Sequence, residues 1–405
     1  MDEYQFTVRT ALMPLYYKDF HCIMGACQDN CCDDGWKIEF SKKDYLKIKR
    51  VPKSPELEEM MCQSVSRLRD RAHDDKYAEI KVSGAGRCAF HTKEGLCALQ
   101  LECGEETLPH VCRSFPRRKH ITPAAVEYAL SPACEGVLAL LWSLPDGIDF
   151  CEDPLPAKEW MYVTTSNAVY ARFADIRALC IDALQEQSLG FPQRLLLLGL
   201  MMQQLRDMDW NSEETVDVWL DRAGRLFHDP SVAEELKRLP RNRELFLNHS
   251  LGRMLEMGTG ASAPLVDELL AAPMDYQKIG AALKPTFNGP RYQELEDKLE
   301  ELLGHSEYFF ENLMVSVAFY WGFPFLGTPE KLWDSYLRLC DLYSCYRFAA
   351  VCGCSKEVSR ERLFHVLVRI SRGYMHSKNL LDNASESRRQ DGTDTLAHMA
   401  ILVGG

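Results

Sequence analysis

The stretch CIMGACQDNCC, residues 22–32, places four cysteines within eleven positions, and the last two are adjacent. Further along the chain a second group follows, with Cys88, Cys97, Cys103 and Cys112 spaced more widely. Eleven of the sixteen cysteines lie at or before Cys151. So many thiols in one part of a chain form disulfides, bind metal or take part in redox chemistry. Which of these uses applies decides how the N-terminal part folds.

The composition is that of an ordinary soluble globular protein, with 46% apolar and 26% charged residues in 405 positions. A net charge of -12 argues against nonspecific binding of nucleic acid, which requires a basic face. No apolar run approaches the roughly 20 residues of a membrane-spanning helix. The start, MDEYQFTVRT, has acidic residues where a secretory signal would have basic ones. We therefore expect a cytoplasmic protein without a membrane partner, in which stable disulfides are rare and clustered thiols bind metal.

The first 150 residues lack a long helical period and read as an irregular, cysteine-rich, metal-binding domain. Alternating patterns predict short strands at 36–40 and 78–84, and capping signals predict helices over 41–50 and 54–71. The turn-rich stretch 145–156 is the expected boundary.

Residues 151–405 are expected to form an α-helical domain, with a possible subdivision near 257–290. The fold class is thus mainly α. The polar tail 384–395 is expected to be loosely ordered. The predicted helices are 157–187, 192–209, 212–228, 231–256, 291–303, 306–321, 329–350 and 356–376.

The thiol spacing narrows the choice of metal. Thiolates prefer zinc or iron–sulfur clusters to hard cations. A four-thiolate zinc site usually uses two closely spaced cysteine pairs, and only Cys27 and Cys31 form one. Eight or more candidate thiols exceed the needs of one tetrahedral ion, which favours a 4Fe–4S cluster, with zinc as the alternative. The loop of radical S-adenosylmethionine enzymes would require a cysteine at position 34, where the chain has Asp34.

Adjacent cysteines are awkward as two ligands of one site, because neighbouring side chains tend to diverge. One of Cys31 and Cys32 is therefore expected to pack or ligate elsewhere. Cys62, Cys103 and Cys151 stand apart from the motifs and are interpreted as packing residues, as are the five cysteines after Cys151.

Longer stretches carry a family resemblance. The segments YKDFHCIMGACQDNCCDDGWKIEFSKKDYLKIK (17–49), GRCAFHTKEGLCALQLECGEETLPHVCRSFPRRK (86–119) and ALSPACEGVLALL (129–141) resemble the flagellin lysine-N-methylase family. The helical stretches 307–325 and 332–348 resemble the C-terminal half of that family.

The resemblance implies a protein-lysine N-methyltransferase that uses S-adenosylmethionine, a 4Fe–4S cluster in the N-terminal domain, and flagellin as the protein substrate. By position, the metal-ligating cysteines of the family fall on Cys22, Cys27, Cys31, Cys32, Cys88, Cys97, Cys112 and Cys134.

The residues themselves leave other functions open. Without the resemblance they indicate only a cytoplasmic multi-thiolate metal protein with a helical domain. A non-catalytic protein-binding module stabilised by zinc or an iron–sulfur cluster is the main alternative. No catalytic residue can be assigned. Gly258 and Gly260 offer a glycine-rich turn for a cofactor, but a loop between helices is the stronger interpretation of that stretch.

Overall fold

The computed structural model shows a mainly helical chain, as predicted, with short strands concentrated in the cysteine-rich N-terminal part. The structure describes residues 4–33, 35–36, 38–69, 73–83, 86–165, 167–227, 229–238, 242–257, 263–279, 282–304, 308–324, 327–375 and 378–404. The candidate glycine turn at Gly258 and Gly260 lies outside these residues.

The strands form small sheets. They are β1 Tyr4–Val8, β2 Thr10–Pro14, β3 Ile38–Phe40, β4 Val65–Arg67, β5 Ala78–Ile80, β6 Arg117–Ile121, β7 Val126–Leu130, β8 Phe150–Pro154, β9 Met161–Thr165, β10 Met274–Ile279 and β11 Ala282–Phe287. One sheet has the order β6-β7-β2-β8, a second has the order β3-β5-β4, and β1-β9 and β10-β11 are pairs. The β2–β7 pair is parallel and the other pairs are antiparallel.

The helices account for most of the chain after β9. They are α1 Tyr16–Asp19, α2 Lys42–Arg50, α3 Pro55–Ser64, α4 Ala98–Cys103, α5 His110–Ser114, α6 Glu135–Ser143, α7 Ala168–Ala171, α8 Phe173–Leu184, α9 Phe191–Asp207, α10 Glu213–Leu226, α11 Pro230–Lys237, α12 Arg243–Met257, α13 Ala263–Ala271, α14 Gly289–Leu303, α15 Phe309–Trp321, α16 Pro329–Gly353, α17 Arg360–Met375, α18 Lys378–Asp391 and α19 Leu396–Val403. Within the described chain, none of them combines the length and the apolar character needed to cross a bilayer.

Local signals in the N-terminal part were mostly informative. The predicted strands at 36–40 and 78–84 are confirmed as β3 and β5. The helix predicted over 41–50 begins after Ser41, whose side chain accepts a hydrogen bond from the backbone N–H of Asp44. The helix predicted over 54–71 was too long. It ends at Ser64, because the next residues form β4 and pair with β5.

Two predictions in the C-terminal part, over 157–187 and 384–395, were wrong in detail. The first part of the helix expected over 157–187 forms β9 instead, which pairs with β1 at the start of the chain. The stretch 257–290 contains α13 and the hairpin β10–β11, and the possible subdivision there stays a prediction. The tail expected to be loose over 384–395 is helical to Asp391, because Arg388 within this helix is buried and hydrogen-bonded to Asp341.

The buried residues form two cores. The larger core joins α9, α15, α16 and α17 to residues from the start of the chain such as Phe20, Leu130 and Val137. The five C-terminal cysteines are buried in it, which confirms their interpretation as packing residues. A smaller core includes Phe40, Phe90 and Leu99, and Cys88 and Cys97 pack against it. The division at residue 150 stays a prediction, since a shared core does not say which parts fold separately.

Candidate metal centre

Five of the eight predicted ligands come together around Cys31. Electrostatic interactions link Cys31 to Cys88, Cys97 and Cys112. The thiols of Cys31 and Cys32 are hydrogen-bonded to each other, so the two neighbouring side chains do not diverge as expected. We call these five residues the Cys31 group.

The other three predicted ligands lie beside this group. Cys134 interacts electrostatically with Cys31 and with Cys22, and also with Cys27. Cys134 therefore lies between the two sets of thiols. The structure thus brings all eight predicted residues into one region, drawn from three separate stretches of chain.

Backbone contacts hold the cysteine loop, residues 22–32, against the second cysteine segment, residues 86–112. The N–H of Cys88 donates to the carbonyl of Cys32 at 2.7 Å. The side-chain amide of Asn30 donates to the carbonyl of Gly95 at 2.9 Å. The N–H of Gly35 donates to the carbonyl of Gly86 at 2.8 Å. These bonds align the thiols of the two segments independently of any metal.

Two glycine pairs permit this close approach. A Cβ at Gly25 would lie 2.8 Å from the carbonyl oxygen of Glu94, and Gly95 packs against Gly25 with a φ of +76°. A Cβ at Gly86, whose φ is +84°, would lie 3.1 Å from the backbone N of Gly35. Side chains at these positions would push the two segments apart. The sequence shows the glycines but not which loops they allow to meet.

Backbone N–H groups lie near three of the sulfurs and act to lower the pKa of these thiols. Cys97 and Cys134 each precede a helix, α4 and α6, and N–H groups of the first turn have this effect on both. The N–H of Phe90 has the same effect on Cys88. Such donors and a helix N-terminus stabilise a thiolate. These three positions are therefore suited to ligands that bind metal in the deprotonated form.

The thiols nevertheless resist ionisation as they stand. The pKa of Cys112 is raised to about 12, mainly because the thiol is buried away from water. Repulsion from the neighbouring thiols of Cys88, Cys97 and Cys31 adds to the increase. Burial away from water raises the pKa of Cys134 to about 11, although the N–H groups of Val137 and Gly136 act to lower it. A bound cation would offset this repulsion between thiolates, and its binding would release their protons.

The cysteine loop is also tied to both halves of the molecule through residues that are not cysteines. The Glu135 carboxylate accepts hydrogen bonds from the N–H groups of Gln28 and Asp29 at 2.7 and 3.0 Å, and from the Cys27 thiol at 3.3 Å. The side chain of Asp29 is buried and meets α17 of the helical part, where Arg369 donates to it at 2.9 Å. Sequence reasoning missed both contacts.

The donor set suits an iron–sulfur cluster or zinc in chemistry and in number. Among the residues that the structure describes, no three His, Cys, Asp or Glu side chains are arranged so that they could hold a metal ion. A four-iron cluster separates its thiolates more widely than a single ion does. Cys103 lies apart, with its thiol directed at the carbonyl of Pro52. The metal ligands themselves stay a prediction.

Comparison with known proteins adds a family. Residues 177–402 match the model of the FliB lysine N-methylase C-terminal domain. A lysine-N-methylase of Salmonella choleraesuis is 31% identical over 147 residues, which is 35% of this chain and 35% of that protein. The flagellar biosynthetic protein FliU of Salmonella muenchen is 32% identical over 143 residues, 34% of this chain and 80% of that protein.

A lysine-N-methylase of Salmonella typhimurium aligns in the same way, with 31% identity over 147 residues, 35% of each chain. The alignments with the two lysine-N-methylases thus span about a third of their length. No solved structure matches this chain.

Proposed function

Because the chain belongs to the FliB lysine N-methylase family, we propose that it is a protein-lysine N-methyltransferase. The match to the C-terminal domain model is the observation that carries the proposal, since it covers more than half of the chain. Relatives named lysine-N-methylase support it.

We propose S-adenosylmethionine as the methyl donor. In the reaction the bond from the sulfonium sulfur to the methyl carbon breaks as the bond to the lysine nitrogen forms, and S-adenosylhomocysteine leaves. The lysine must first lose a proton to a base or to water, because its ordinary pKa is about 10.4. The enzyme has to hold the two reactants in line and keep the amine neutral.

The proposed substrate is flagellin. One relative is named a flagellar biosynthetic protein, which supports a flagellar substrate. We place the reaction in the cytoplasm, where a reducing environment keeps a multi-thiol site intact. The net charge of -12 is compatible with a protein substrate that presents surface lysines.

We further propose that the thiols hold a 4Fe–4S cluster. The best ligand set is Cys88, Cys97 and Cys112 with one of Cys31 and Cys32, because these belong to the Cys31 group. A bound cluster would supply a one-electron redox centre and a covalent link between two chain segments. The N–H groups at Cys88 and Cys97 would stabilise the thiolates that hold it.

The test uses anaerobically purified protein, S-adenosylmethionine and purified flagellin. We expect iron and acid-labile sulfide in the protein, and flagellin lysines that gain the mass of one methylene for each transfer. Stoichiometric zinc with no iron would reject the cluster. Unmodified flagellin, with donor bound, would reject the methyltransferase and favour a binding module.

A further inference from the structure

A cavity of about 700 Å³ lies in the helical part of the chain, far along the sequence from the predicted metal ligands. Its walls come from the start of α9, from α12, α14, α15 and α16, and from the end of α19. Its size falls in the range of pockets that enclose a small organic ligand. Nothing in the proposed metal centre uses it.

Aromatic side chains form one wall. Phe191 and Tyr343 pack with ring centroids 5.1 Å apart, and Tyr292 and Phe310 line the same cavity. Tyr292 is 2% exposed and Tyr343 is 6% exposed. Neither hydroxyl has a hydrogen-bond partner within the described part of the chain. Two tyrosines whose rings are buried thus present to the cavity hydroxyls that have no protein partner, and a ligand in the cavity can hydrogen-bond to them.

Charged side chains line the same cavity beside the aromatic rings. Helix α14 contributes Glu296, Asp297 and Glu300, and α12 and α16 contribute Arg243 and Arg347. Arg243 donates to Glu296 at 2.8 Å and Arg347 donates to Glu300 at 2.7 Å. Asp297 accepts a hydrogen bond from Gln293 at 2.9 Å and has no basic partner among the described residues. The cavity therefore has one carboxylate in excess.

We propose that this cavity is the binding site of S-adenosylmethionine. The ligand has an adenine ring that can stack on the aromatic side chains and ribose hydroxyls that can donate hydrogen bonds to a carboxylate. Its sulfonium and ammonium cations match the excess carboxylate and the faces of the aromatic rings. Its own carboxylate matches a guanidinium such as Arg347.

The assignment to the donor, rather than to the acceptor lysine, follows from the variety of groups. A lysine side chain is one cation on an apolar stem and would use neither the guanidiniums nor most of the aromatic wall. The donor uses every type of group that the cavity presents. This inference rests on the proposed function, because it assumes that the enzyme takes S-adenosylmethionine.

Equilibrium dialysis with S-adenosylmethionine tests the site in the full chain. Asp297→Asn and Tyr343→Phe should each weaken binding about tenfold, because each removes one polar contact to a charged ligand. Glu294→Gln is the matched control, since Glu294 lies on the same helix, pairs with Lys298 at 2.6 Å and does not line the cavity. Its affinity should be unchanged.

Hydrogen exchange of the unaltered chain gives an independent measurement that needs no variant. S-adenosylmethionine should slow exchange in α14 and in the first turn of α9. Normal binding in both cavity variants, or slowing elsewhere, would overturn the assignment while leaving the proposed function intact. Slowing of α14 by a lysine peptide instead of the donor would also overturn it. If the unaltered chain failed to bind S-adenosylmethionine at all, the proposed donor would be rejected with it.

Discussion

Asp29 accepts a hydrogen bond from Arg369 at 2.9 Å, which joins the cysteine loop to helix α17. The Asp29 carboxylate is 1% exposed and also lies 2.8 Å from Nδ1 of His365. Arg372, on the same helix, donates to the backbone carbonyls of Asp29 and of Ala133, next to Cys134. Helix α17 falls within the part of the chain that matches the family model, and Asp29 falls outside it. The helical part therefore fixes the position of the cysteine loop.

Removal of this contact should loosen the metal centre. We expect Arg369→Gln to lower the iron bound per chain, because the buried Asp29 carboxylate loses a charged donor. The free energy of unfolding should fall by roughly 2–4 kcal/mol. Arg360→Gln is the control, since Arg360 lies at the start of the same helix and forms an exposed ion pair with the neighbouring Glu361. Metal analysis after anaerobic purification decides. Equal iron content in the two variants would contradict the coupling.

The two cysteines that bracket α4 offer a matched pair. Cys97→Ser should lose most of the bound metal, because Cys97 belongs to the Cys31 group and lies at the start of α4, whose N–H groups favour the thiolate. Cys103→Ser should retain it, because that thiol contacts only the carbonyl of Pro52 among the hydrogen bonds of the described chain. Visible absorption and iron content measure both. If Cys103→Ser lost iron and Cys97→Ser kept it, Cys103 rather than Cys97 would be the ligand.

Gly25→Ala should separate the two cysteine segments. The new Cβ would lie 2.8 Å from the carbonyl oxygen of Glu94, and a backbone atom cannot turn away as a side chain can. We expect a loss of about 1–3 kcal/mol in the free energy of unfolding and weaker metal retention.

Gly252→Ala, in α12, provides the opposite case. A Cβ at Gly252 meets no atom within 4 Å, so alanine should stabilise the helix by about 0.5–1 kcal/mol. Urea denaturation compares the two variants. A Gly25→Ala protein as stable and as metal-rich as the parent would show that the glycine contact is not required.

Asp341 gives the protein a specific dependence on acid. Burial opposes its ionisation, but Arg388, His249 and Arg253 outweigh burial and hold the pKa of the carboxyl below its ordinary value of 3.8. A carboxyl with a depressed pKa stabilises the fold above about pH 4, and this contribution is lost as the pH falls toward the folded-state pKa. Asp341→Asn should therefore lower the free energy of unfolding by about 3–5 kcal/mol at pH 7, and by less below about pH 4.

Asp221→Asn is the control for this change, because Asp221 forms an exposed pair with Arg225 one turn along α10. It should alter stability by less than about 0.5 kcal/mol at any pH. Urea denaturation at pH 7 and at pH 3.5 measures both variants. A pH-independent loss in Asp341→Asn would indicate a packing defect rather than a lost charge.

Local sequence signals predicted the local structure. Ser41 caps α2, the alternating stretches became β3 and β5, and the density of thiols marked the region where all eight predicted ligands gather. These features depend on neighbours in the sequence. The polar composition of the tail wrongly predicted loose structure, because the burial of Arg388 against Asp341 could not be inferred from composition.

Contacts between distant residues could not be predicted from the sequence alone. Asp29 and His365 are 336 positions apart, and nothing in either surrounding stretch indicates the other. Similarly, Gly25 and Gly95 look like ordinary turn residues until the two loops are seen together. The cavity draws its walls from six helices, so its aromatic and charged residues form no sequence motif.

The most direct test of the proposed methyltransferase activity is the intact mass of flagellin after incubation with the iron-loaded protein and S-adenosylmethionine. We expect masses raised by whole methylene units, located on lysines by peptide analysis, and a loss of this activity in Cys97→Ser but not in Cys103→Ser. Flagellin of unchanged mass, with a protein that contains iron and binds the donor, would contradict it.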